Sequence, residues 1–251
     1  MLRFIIASIY VGLALILSLP VWLVLQVVGL FSEQAKERAT LAIARPALSV
    51  IVFIAGTDVT FIGLENANCK EPALYVSNHR SFFDVIIPGT KQREPLCFIA
   101  KKEFGRVPIL NLWMKNLHCL FLDRKDLKQG LKVVLSAIHY LKDGRSVYIC
   151  PEGTRNRTDE LLLPFKEGSL KIAAKSGCPI IPMAITGSDE VFEKQFPKLR
   201  KAKVIVRYGK PFYAADLDKE NQKFLGAYTA DIIRGMLLEN EKLISDGTAS
   251  R

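Results

Sequence analysis

Charged side chains are missing from a long stretch near the amino terminus. Arg3 is the only charged residue among the first 31, so residues 4–31 form an uncharged and largely apolar run of 28 residues. A helix of that length extends roughly 42 Å at about 1.5 Å per residue, whereas a bilayer core of about 30 Å needs about 20 residues. The run is too long for the apolar part of a signal peptide, and no A-x-A-like cleavage site follows it. We therefore expect a hydrophobic helical membrane anchor.

Cysteine pairs and zinc-type ligand clusters are also missing. The five cysteines are odd in number and form no C-x-x-C pair, and most of them lie in apolar runs. We expect reduced, buried thiols in a reducing compartment. The three histidines do not cluster with cysteines at the spacing of zinc ligands, which predicts that no metal is bound. The G-x-S-x-G elbow of serine hydrolases is absent as well, which argues against that route of catalysis.

A second apolar stretch, residues 39–56, is interrupted by Arg45 and Pro46. Positions 46 to 56 comprise only 11 residues, too few to span a bilayer alone. Two arrangements stay open: one crossing followed by an interfacial helix, or a helical hairpin that dips into the membrane and returns. The hairpin is favoured, with Arg45 at the headgroups and the rest of the chain on the cytoplasmic face of the cell membrane. The predicted division is an anchor at 1–56 and a second domain at 57–251.

Negative charge is in deficit over the remainder of the chain. The sequence has 35 Lys and Arg against 25 Asp and Glu, a net charge of +10, and +9 of it lies in residues 32–251. Such a body suits an anionic partner, either lipid headgroups, phosphorylated metabolites or nucleic acid. No zinc-finger spacing, basic zipper or RNA-binding aromatic signature is present, so we do not expect nucleic acid as the partner.

After residue 57 the pattern changes to short apolar runs that alternate with amphipathic stretches. The runs predict strands at 59–64, 74–77, 96–100, 120–123, 147–150, 180–185 and 204–208. Helices are predicted at 126–142, 169–176 and 218–244. In the first of these, one side is expected to carry the apolar residues Leu131, Val134, Leu135, Ile138 and Leu141. Alternating strands and helices indicate an α/β fold with a largely parallel central sheet covered by helices.

The chemistry-bearing residues follow the predicted strands. His79 comes just after the strand at 74–77, at the carboxyl end where α/β proteins usually place their sites, and Asp84 follows five residues later. Asp84 can take the proton on one ring nitrogen of His79 and leave the other nitrogen free as a base. The spacing of Ser81 and Asp84 is equally that of a helix capping box, with His79 then an ordinary loop residue. Both interpretations stay open from the residues alone.

Other strands end in cations. Lys101 and Arg124 end two strands, and Arg155 follows a third within a turn where Gly153 lets the backbone approach an anion and Thr154 offers a hydroxyl donor. A solvated surface or a plain turn is the ordinary interpretation of each one. Because the carboxyl ends of parallel strands meet at one edge, a single pocket can collect His79 and these cations. The apolar strand at 180–185 is expected to be core.

Four blocks in this order resemble the glycerolipid acyltransferase family, in its 1-acyl-glycerol-3-phosphate acyltransferase branch. The blocks are N-H-R-S-F-F-D at 78–84, F-L-D-R at 121–124, P-E-G-T-R at 151–155 and P-I-I-P at 179–182. The P-F-K-E-G stretch at 164–168 and the hydrophobic amino terminus also fit. The resemblance implies that His79 is the catalytic base and that Asp84 orients it. It further implies acceptor-binding roles for a set of residues: Lys101, Arg124, Glu152, Gly153, Thr154 and Arg155. The fourth block is implied to help form the acyl site.

The implied reaction is transfer of an acyl chain from acyl-CoA or acyl carrier protein to the free hydroxyl of a lysophospholipid, with no cofactor and no metal. The product from 1-acyl-glycerol 3-phosphate is phosphatidic acid. The blocks leave room for another acceptor, such as lysophosphatidylcholine, a lyso-amino-lipid or glycerol 3-phosphate. A thioesterase that uses the same His79 and Asp84 with water, or a non-enzymatic basic membrane protein, are the more distant alternatives.

Overall fold

Seven strands form one sheet within the part of the chain that this computed structural model describes, residues 1–67 and 71–246. The strands are β1 (Asp58–Ile62), β2 (Leu74–Ser77), β3 (Leu96–Lys101), β4 (Leu120–Leu122), β5 (Ser146–Ile149), β6 (Ile180–Thr186) and β7 (Lys203–Tyr208). Their order across the sheet is β1-β7-β6-β2-β5-β3-β4, and every neighbouring pair is parallel except β6 with β7. The predicted largely parallel sheet is confirmed, and each predicted strand is present to within two residues at either end.

Helices cover both faces of the sheet. They are α1 (Leu2–Leu17), α2 (Leu19–Phe31), α3 (Glu33–Ala55), α4 (Phe83–Gly89), α5 (Leu110–Asn116), α6 (Leu127–Lys142), α7 (Glu167–Ser176), α8 (Lys219–Lys223) and α9 (Leu225–Ser245). The buried side chains of α6, α7 and α9 form one core with the sheet, and those of α1, α3 and α4 form a second core on the opposite face. The α/β class predicted from the alternation is therefore confirmed.

The central strands are hydrophobic on both sides because both faces are covered. All four residues of β2 are buried, and so are six of the seven residues of β6. Ile180 packs into the core with α7 and α9, whereas the next residue, Ile181, packs into the core with α4. This alternation is what a strand inside a parallel sheet requires. The expectation that 180–185 is core is confirmed.

The uncharged amino-terminal run is helical but bent. The axes of α1 and α2 differ by 45°, and the break lies at Ser18, two residues before Pro20. Pro20 has no N–H to donate to the preceding turn, which is the usual cause of such a bend. After Ser32 the chain returns as α3, which packs along both α1 and α2.

The expected interruption at Arg45 and Pro46 is wrong. Helix α3 runs for 23 residues from Glu33 to Ala55 with Pro46 in its interior. Packing against two neighbouring helices outweighs the cost of an internal proline, about 3 kcal/mol. Consequently α3 is long and apolar enough to cross a membrane, and α1 with α2 also passes this test if the bent pair is counted as one span.

The first three helices are joined to the sheet and also expose much apolar surface. Ala7 and Ala55 are buried in the core beside α4, and the Arg3 guanidinium donates to the carbonyl of Ala55 at 3.0 Å. Sixteen of the 24 large hydrophobic side chains that are exposed among the described residues lie in residues 1–53. Such a concentration of exposed apolar side chains is typical of an interaction surface rather than of scattered surface residues.

Two helix predictions need correction. In α6, Leu131 and Leu135 are 60% and 53% exposed, whereas Ile138 and Leu141 of the predicted stripe are buried, together with Val133 and Ala137. Helix α6 carries apolar residues on more than one stripe, so its sequence does not decide which one faces the sheet. The predicted helix 218–244 is divided at Phe224 into α8 and α9, because the Glu167 carboxylate accepts the first N–H groups of α9.

Candidate active site

The carboxyl ends of β2, β3, β4, β5 and β6 lie at the same edge of the sheet, since these five strands are parallel. The strand order places β2 between β5 and β6, so the loops that carry the first and third sequence blocks are neighbours. Asn78 fixes the start of the β2 loop. Its side-chain amide donates to the Ile185 carbonyl at 2.9 Å and accepts from the Ile185 N–H at 2.8 Å, which extends the ladder to β6 by one pair.

The first block forms a histidine–carboxylate pair. Nδ1 of His79 lies 2.9 Å from Oδ2 of Asp84. A carboxylate only accepts hydrogen bonds, so Nδ1 carries the proton and Nε2 keeps its lone pair. Asp84 is fully buried, whereas the His79 side chain is 17% exposed and within reach of a substrate.

Asp84 is also the acid of the predicted capping box. Its Oδ2 accepts from the N–H groups of Arg80 and Ser81, both at 2.7 Å, and the Ser81 hydroxyl oxygen accepts from the Phe83 N–H at 3.0 Å. Asp84 therefore makes both the contacts of the helix start and the contact with the His79 ring, while the catalytic role of the pair stays a prediction. The contacts that begin α4 are the contacts that hold the carboxylate against His79.

Glu152, in the third block, contacts the backbone of the loop that carries His79. Glu152 is 5% exposed, with Oε1 accepting from the His79 N–H at 2.6 Å and Oε2 accepting from the Leu163 N–H at 3.0 Å. Burial raises the pKa of Glu152 to about 7, although the two backbone donors and the nearby His79 lower it in part. Both carboxylate oxygens thus accept backbone N–H groups, one from His79 and one from Leu163. The implied contact between Glu152 and the acceptor stays a prediction.

Gly153 adopts a left-handed conformation with φ +71°, which a side chain at this position would strain. A Cβ here would also lie 2.8 Å from the ammonium nitrogen of Lys166. The absence of a side chain therefore lets the Lys166 ammonium lie against the turn. Thr154 is exposed on the same turn. A concave backbone turn beside a cation is an arrangement that suits an anion.

Arg155 is tied to the first block. Its guanidinium lies over the Phe82 ring, 4.1 Å from the ring centroid, and Nη1 donates to Oε1 of Glu193 at 3.0 Å. Among the described residues, Nε and Nη2 of Arg155 have no acceptor. The Nε–Nη2 edge of this planar cation therefore stays free for a bidentate anion such as a phosphate.

The two other predicted cations lie at the ends of neighbouring strands, β3 and β4. Lys101 is half-exposed and pairs with Glu103 at 3.1 Å. Burial lowers the pKa of the Arg124 guanidinium, while the nearby Cys150 and Glu103 raise it in part. Arg124 and Lys101 thus lie at neighbouring strand ends, on the same edge of the sheet as His79.

A cleft of about 1270 Å³ opens beside the site. Arg80, Phe82 and Arg155 line the side that adjoins the histidine loop. The lining also includes Arg200 and Lys201, as well as the carboxylates of Asp189 and Glu193. The cleft therefore adjoins the loop that carries His79, although neither His79 nor Asp84 lines it.

The described cysteines are mostly buried, as predicted. The four described cysteines are free thiols, and burial raises the pKa of Cys97, Cys119 and Cys150, so these three are protonated and unreactive. Cys150 is partly exposed to solvent rather than fully buried. Cys69 lies outside the described residues. His118 clusters with carboxylates rather than cysteines.

That carboxylate cluster consists of Glu33, Glu37 and His118, whose ligand atoms lie within 4.8 Å of one another. Arg145 donates to Glu37 at 2.9 Å, and Lys36 pairs with Glu33 at 2.7 Å. Cations of the chain therefore already neutralise both carboxylates. The cluster joins α3 to the sheet. Among the described residues, none of its contacts involves His79.

Sequence reasoning missed three residues of the site. Ser188 and Glu193 follow β6, and Lys166 lies against Gly153. The rule that directed attention to the ends of β2, β3, β4 and β5 applies equally to β6, and it would have pointed to Ser188. Lys166 lies inside the 164–168 stretch that already fitted the resemblance.

Comparisons with known proteins point in one direction. The sequence profile of the acyltransferase family matches residues 58–186, just over half of the chain. A 1-acyl-sn-glycerol-3-phosphate acyltransferase of Saccharomyces cerevisiae is 29% identical over 204 residues, which cover 80% of this chain and 65% of the yeast protein. The match therefore spans less than two thirds of that relative. A probable 1-acyl-sn-glycerol-3-phosphate acyltransferase of Mycoplasma pneumoniae is 31% identical over 76% of each protein.

A solved structure shares the fold. The crystal structure of the 1-acyl-sn-glycerophosphate acyltransferase PlsC from Thermotoga maritima matches with a TM-score of 0.71. The match covers 95% of this chain and 97% of that chain at 21% identity. The likeness extends over nearly the whole chain, the three amino-terminal helices included.

Proposed function

The chain belongs to the acyltransferase family, and we propose that it transfers an acyl chain from a thioester donor to the free hydroxyl of 1-acyl-glycerol 3-phosphate, giving phosphatidic acid. The donor in this proposal is acyl-CoA or an acyl carrier protein. The observation that carries the proposal is the pair of His79 and Asp84, with Nδ1 held by the carboxylate at 2.9 Å. The reaction needs a base for a hydroxyl group, and this pair supplies one.

The proposed step begins with Nε2 of His79 taking the proton of the acceptor hydroxyl. The oxygen attacks the thioester carbonyl, a C–O bond forms, and Asp84 stabilises the imidazolium. Collapse of the tetrahedral intermediate breaks the C–S bond, and the proton on His79 passes to the departing thiolate. No covalent acyl-enzyme is required. Backbone N–H groups or nearby cations meet the oxyanion.

Acceptor binding is assigned to the cations around the third block. Arg155 has a free Nε–Nη2 edge, Arg124 follows the neighbouring strand β4, and Lys166 lies against Gly153. Cations at adjacent strand ends favour a dianionic phosphate at this edge of the sheet. Lys101 and Thr154 complete this proposed site, and Glu152 contributes by holding the turn.

The donor is assigned to the neighbouring cleft. Both acyl-CoA and acyl carrier protein present the thioester on a phosphate-bearing arm. Arg200 and Lys201 line the cleft as exposed cations, and no ion pair occupies either of them within the described residues. Replacing both by Ala is expected to raise the donor KM severalfold and to leave the acceptor KM unchanged. Equal effects on both constants would contradict this assignment.

A membrane location follows from the substrates and from the exposed apolar surface of the first three helices. We propose that these helices form a hairpin-like anchor in the cell membrane, with the sheet on the cytoplasmic face. Held there, the basic site meets its lipid acceptor at the headgroup plane.

The decisive experiment incubates membranes that contain the protein with labelled acyl-CoA and lysophosphatidic acid, and measures phosphatidic acid. His79→Ala is expected to abolish product while the protein still folds and binds membranes. His139→Ala is the matched control, because His139 is exposed on α6. Near-full activity of the His79 variant would overturn the mechanism.

An acceptor panel separates the alternatives. Lysophosphatidylcholine, glycerol 3-phosphate and a reaction without acceptor are tested with the same donor. A preference for lysophosphatidic acid is expected. Release of free thiol at the same rate without any acceptor would identify a thioesterase instead.

A further inference from the structure

The segment at residues 188–193, directly after β6, contacts the first sequence block at several points. Ser188 contacts Asp84, Asp189 lies 3.4 Å from the Arg80 guanidinium, and Glu193 contacts the Ser81 hydroxyl at 2.6 Å. None of these three residues belongs to a block of the family resemblance. The segment therefore touches the proposed catalytic loop from outside the known motifs.

The Ser188 contact is the most direct. The Ser188 hydroxyl donates to Oδ1 of Asp84 at 2.6 Å, and both side chains are fully buried. The other carboxylate oxygen, Oδ2, receives His79 Nδ1 and two backbone N–H groups. Ser188 is thus the donor on Oδ1, and without it a buried anionic oxygen loses its partner. The carboxylate is then held through Oδ2 alone, so its orientation about the Cβ–Cγ bond is less tightly fixed.

Glu193 holds the segment in place independently of Ser188. Its Oε1 accepts from the Phe82 N–H at 2.9 Å and from Arg155 at 3.0 Å, and its Oε2 accepts from Ser81. These contacts tie the segment to the first and third blocks at once. Loss of the Ser188 hydroxyl alone therefore leaves the segment attached.

We propose that Ser188 is a positioning residue, which fixes the Asp84 carboxylate and through it the Nδ1–H tautomer of His79. The inference rests on the proposed function for its kinetic consequence, but its structural part does not. The charged groups that surround the pair are Arg80, Glu152, Asp189 and Glu193, and all four keep their contacts when the Ser188 hydroxyl is removed.

The first test reads the tautomer directly. The full chain is labelled with ¹⁵N-histidine in detergent micelles, and the His79 signals are identified by their loss in His79→Ala. In the unsubstituted protein, Nδ1 is expected to give the shift of a protonated nitrogen and Nε2 that of an unprotonated one. In Ser188→Ala the two shifts are expected to move toward each other as both tautomers become populated. Unchanged shifts in this variant would overturn the proposal.

The second test separates positioning from a general loss of structure. Ser188→Ala is expected to lower kcat roughly tenfold, with the acceptor KM within about twofold, because only the orientation of the base is disturbed. Ser176→Ala is the matched control, since among the described residues its hydroxyl bonds only to carbonyls of α7 and to the Cys178 N–H. Glu193→Gln is the comparator from the same segment, expected to keep the tautomer. Parallel loss of kcat and affinity in Ser188→Ala would contradict the positioning role.

The two hypotheses fail in different ways. If the unsubstituted protein forms no phosphatidic acid while Ser188→Ala still shifts the His79 signals, the proposed function falls and the positioning role stands. If transfer occurs and the signals do not respond to the loss of Ser188, the function stands and the positioning role falls.

Discussion

Glu152 is a carboxyl group that titrates near neutral pH because it is buried under the histidine loop. A native pKa of about 7 against an ordinary value of 4.5 means that the folded protein keeps a proton that the unfolded chain releases. The free energy of unfolding therefore falls as the pH rises from about 4.5 to about 7, and this contribution is constant above that range. The expected loss is up to about 3 kcal/mol.

Glu152→Gln tests this titration. The amide does not ionise, so the pH-dependent loss between pH 5 and pH 8 is expected to be smaller than in the unsubstituted protein by up to about 3 kcal/mol. Denaturant unfolding at the two pH values measures the difference. Parallel pH dependence of the two proteins would show that Glu152 is ionised throughout this range.

Arg155 is expected to act on acceptor affinity. Arg155→Ala removes a bidentate phosphate donor and should raise the acceptor KM roughly tenfold or more, with a smaller change in kcat. Initial rates across a lysophosphatidic acid series measure both constants. Arg234→Ala, at an exposed pair on α9, is the control. An unchanged acceptor KM would remove Arg155 from the phosphate site.

At the scale of single elements, α3 is fixed to the sheet by a nearly buried ion pair. The Glu37 side chain is 6% exposed and receives the Arg145 guanidinium at 2.9 Å, with His118 at 2.9 Å on the same oxygen. The pair joins the start of α3 to the residue just before β5. It sets the position of the second anchor segment relative to the strands.

Arg145→Ala is expected to lower the free energy of unfolding by roughly 2 kcal/mol, less than the about 3–5 kcal/mol of a fully buried pair, because His118 still faces Glu37. The double variant with Glu37→Gln should recover part of this loss, since no uncompensated carboxylate then stays buried. Denaturant unfolding of the single and double variants measures the recovery. A double variant that is less stable than the sum of the singles would contradict this account.

The strands were predictable from the sequence because a sheet covered on both faces requires continuous apolar runs. Helix faces were harder to predict. Leu131 and Leu135 fit an apolar stripe of α6 as well as Val133 does, and only the tertiary arrangement decides which stripe meets the sheet. The same holds for α3, where packing overrides the break that Pro46 predicts locally.

The residues of the candidate site were likewise predictable only in part. His79, Asp84 and Arg155 were predictable, because each follows a strand within a short local motif. Ser188 also follows a strand, but its contact with the loop was not predictable, nor was that of Glu193, because both reach the loop from a part of the chain more than a hundred residues away. Whether the remaining predicted acceptor residues touch substrate stays a prediction.

At the scale of the whole molecule, the exposed apolar side chains of the first helices predict membrane attachment. Leu30 and Phe31 are 82% and 87% exposed at the end of α2. Replacing both by Asp should weaken binding to lipid vesicles about tenfold or more, because a carboxylate is costly in an apolar phase. Flotation with vesicles measures the bound fraction.

Leu127→Asp is the matched control for this measurement. Leu127 is 89% exposed, but it lies on α6 outside the anchor. The control is expected to bind vesicles like the unsubstituted protein. An equal loss in both would show that general surface hydrophobicity, rather than the first helices, attaches the protein.

A row of aromatic contacts connects α1 to the guanidinium of Arg155. Phe4 stacks on Phe192 at 5.6 Å, Phe192 tilts against Phe82 at 6.5 Å, and Arg155 rests on Phe82. The first helix therefore packs, through Phe192, against the ring on which the Arg155 guanidinium lies. We therefore expect that a protein without α1–α3 is a poorer catalyst even toward short-chain substrates dissolved in water, for which membrane attachment does not matter.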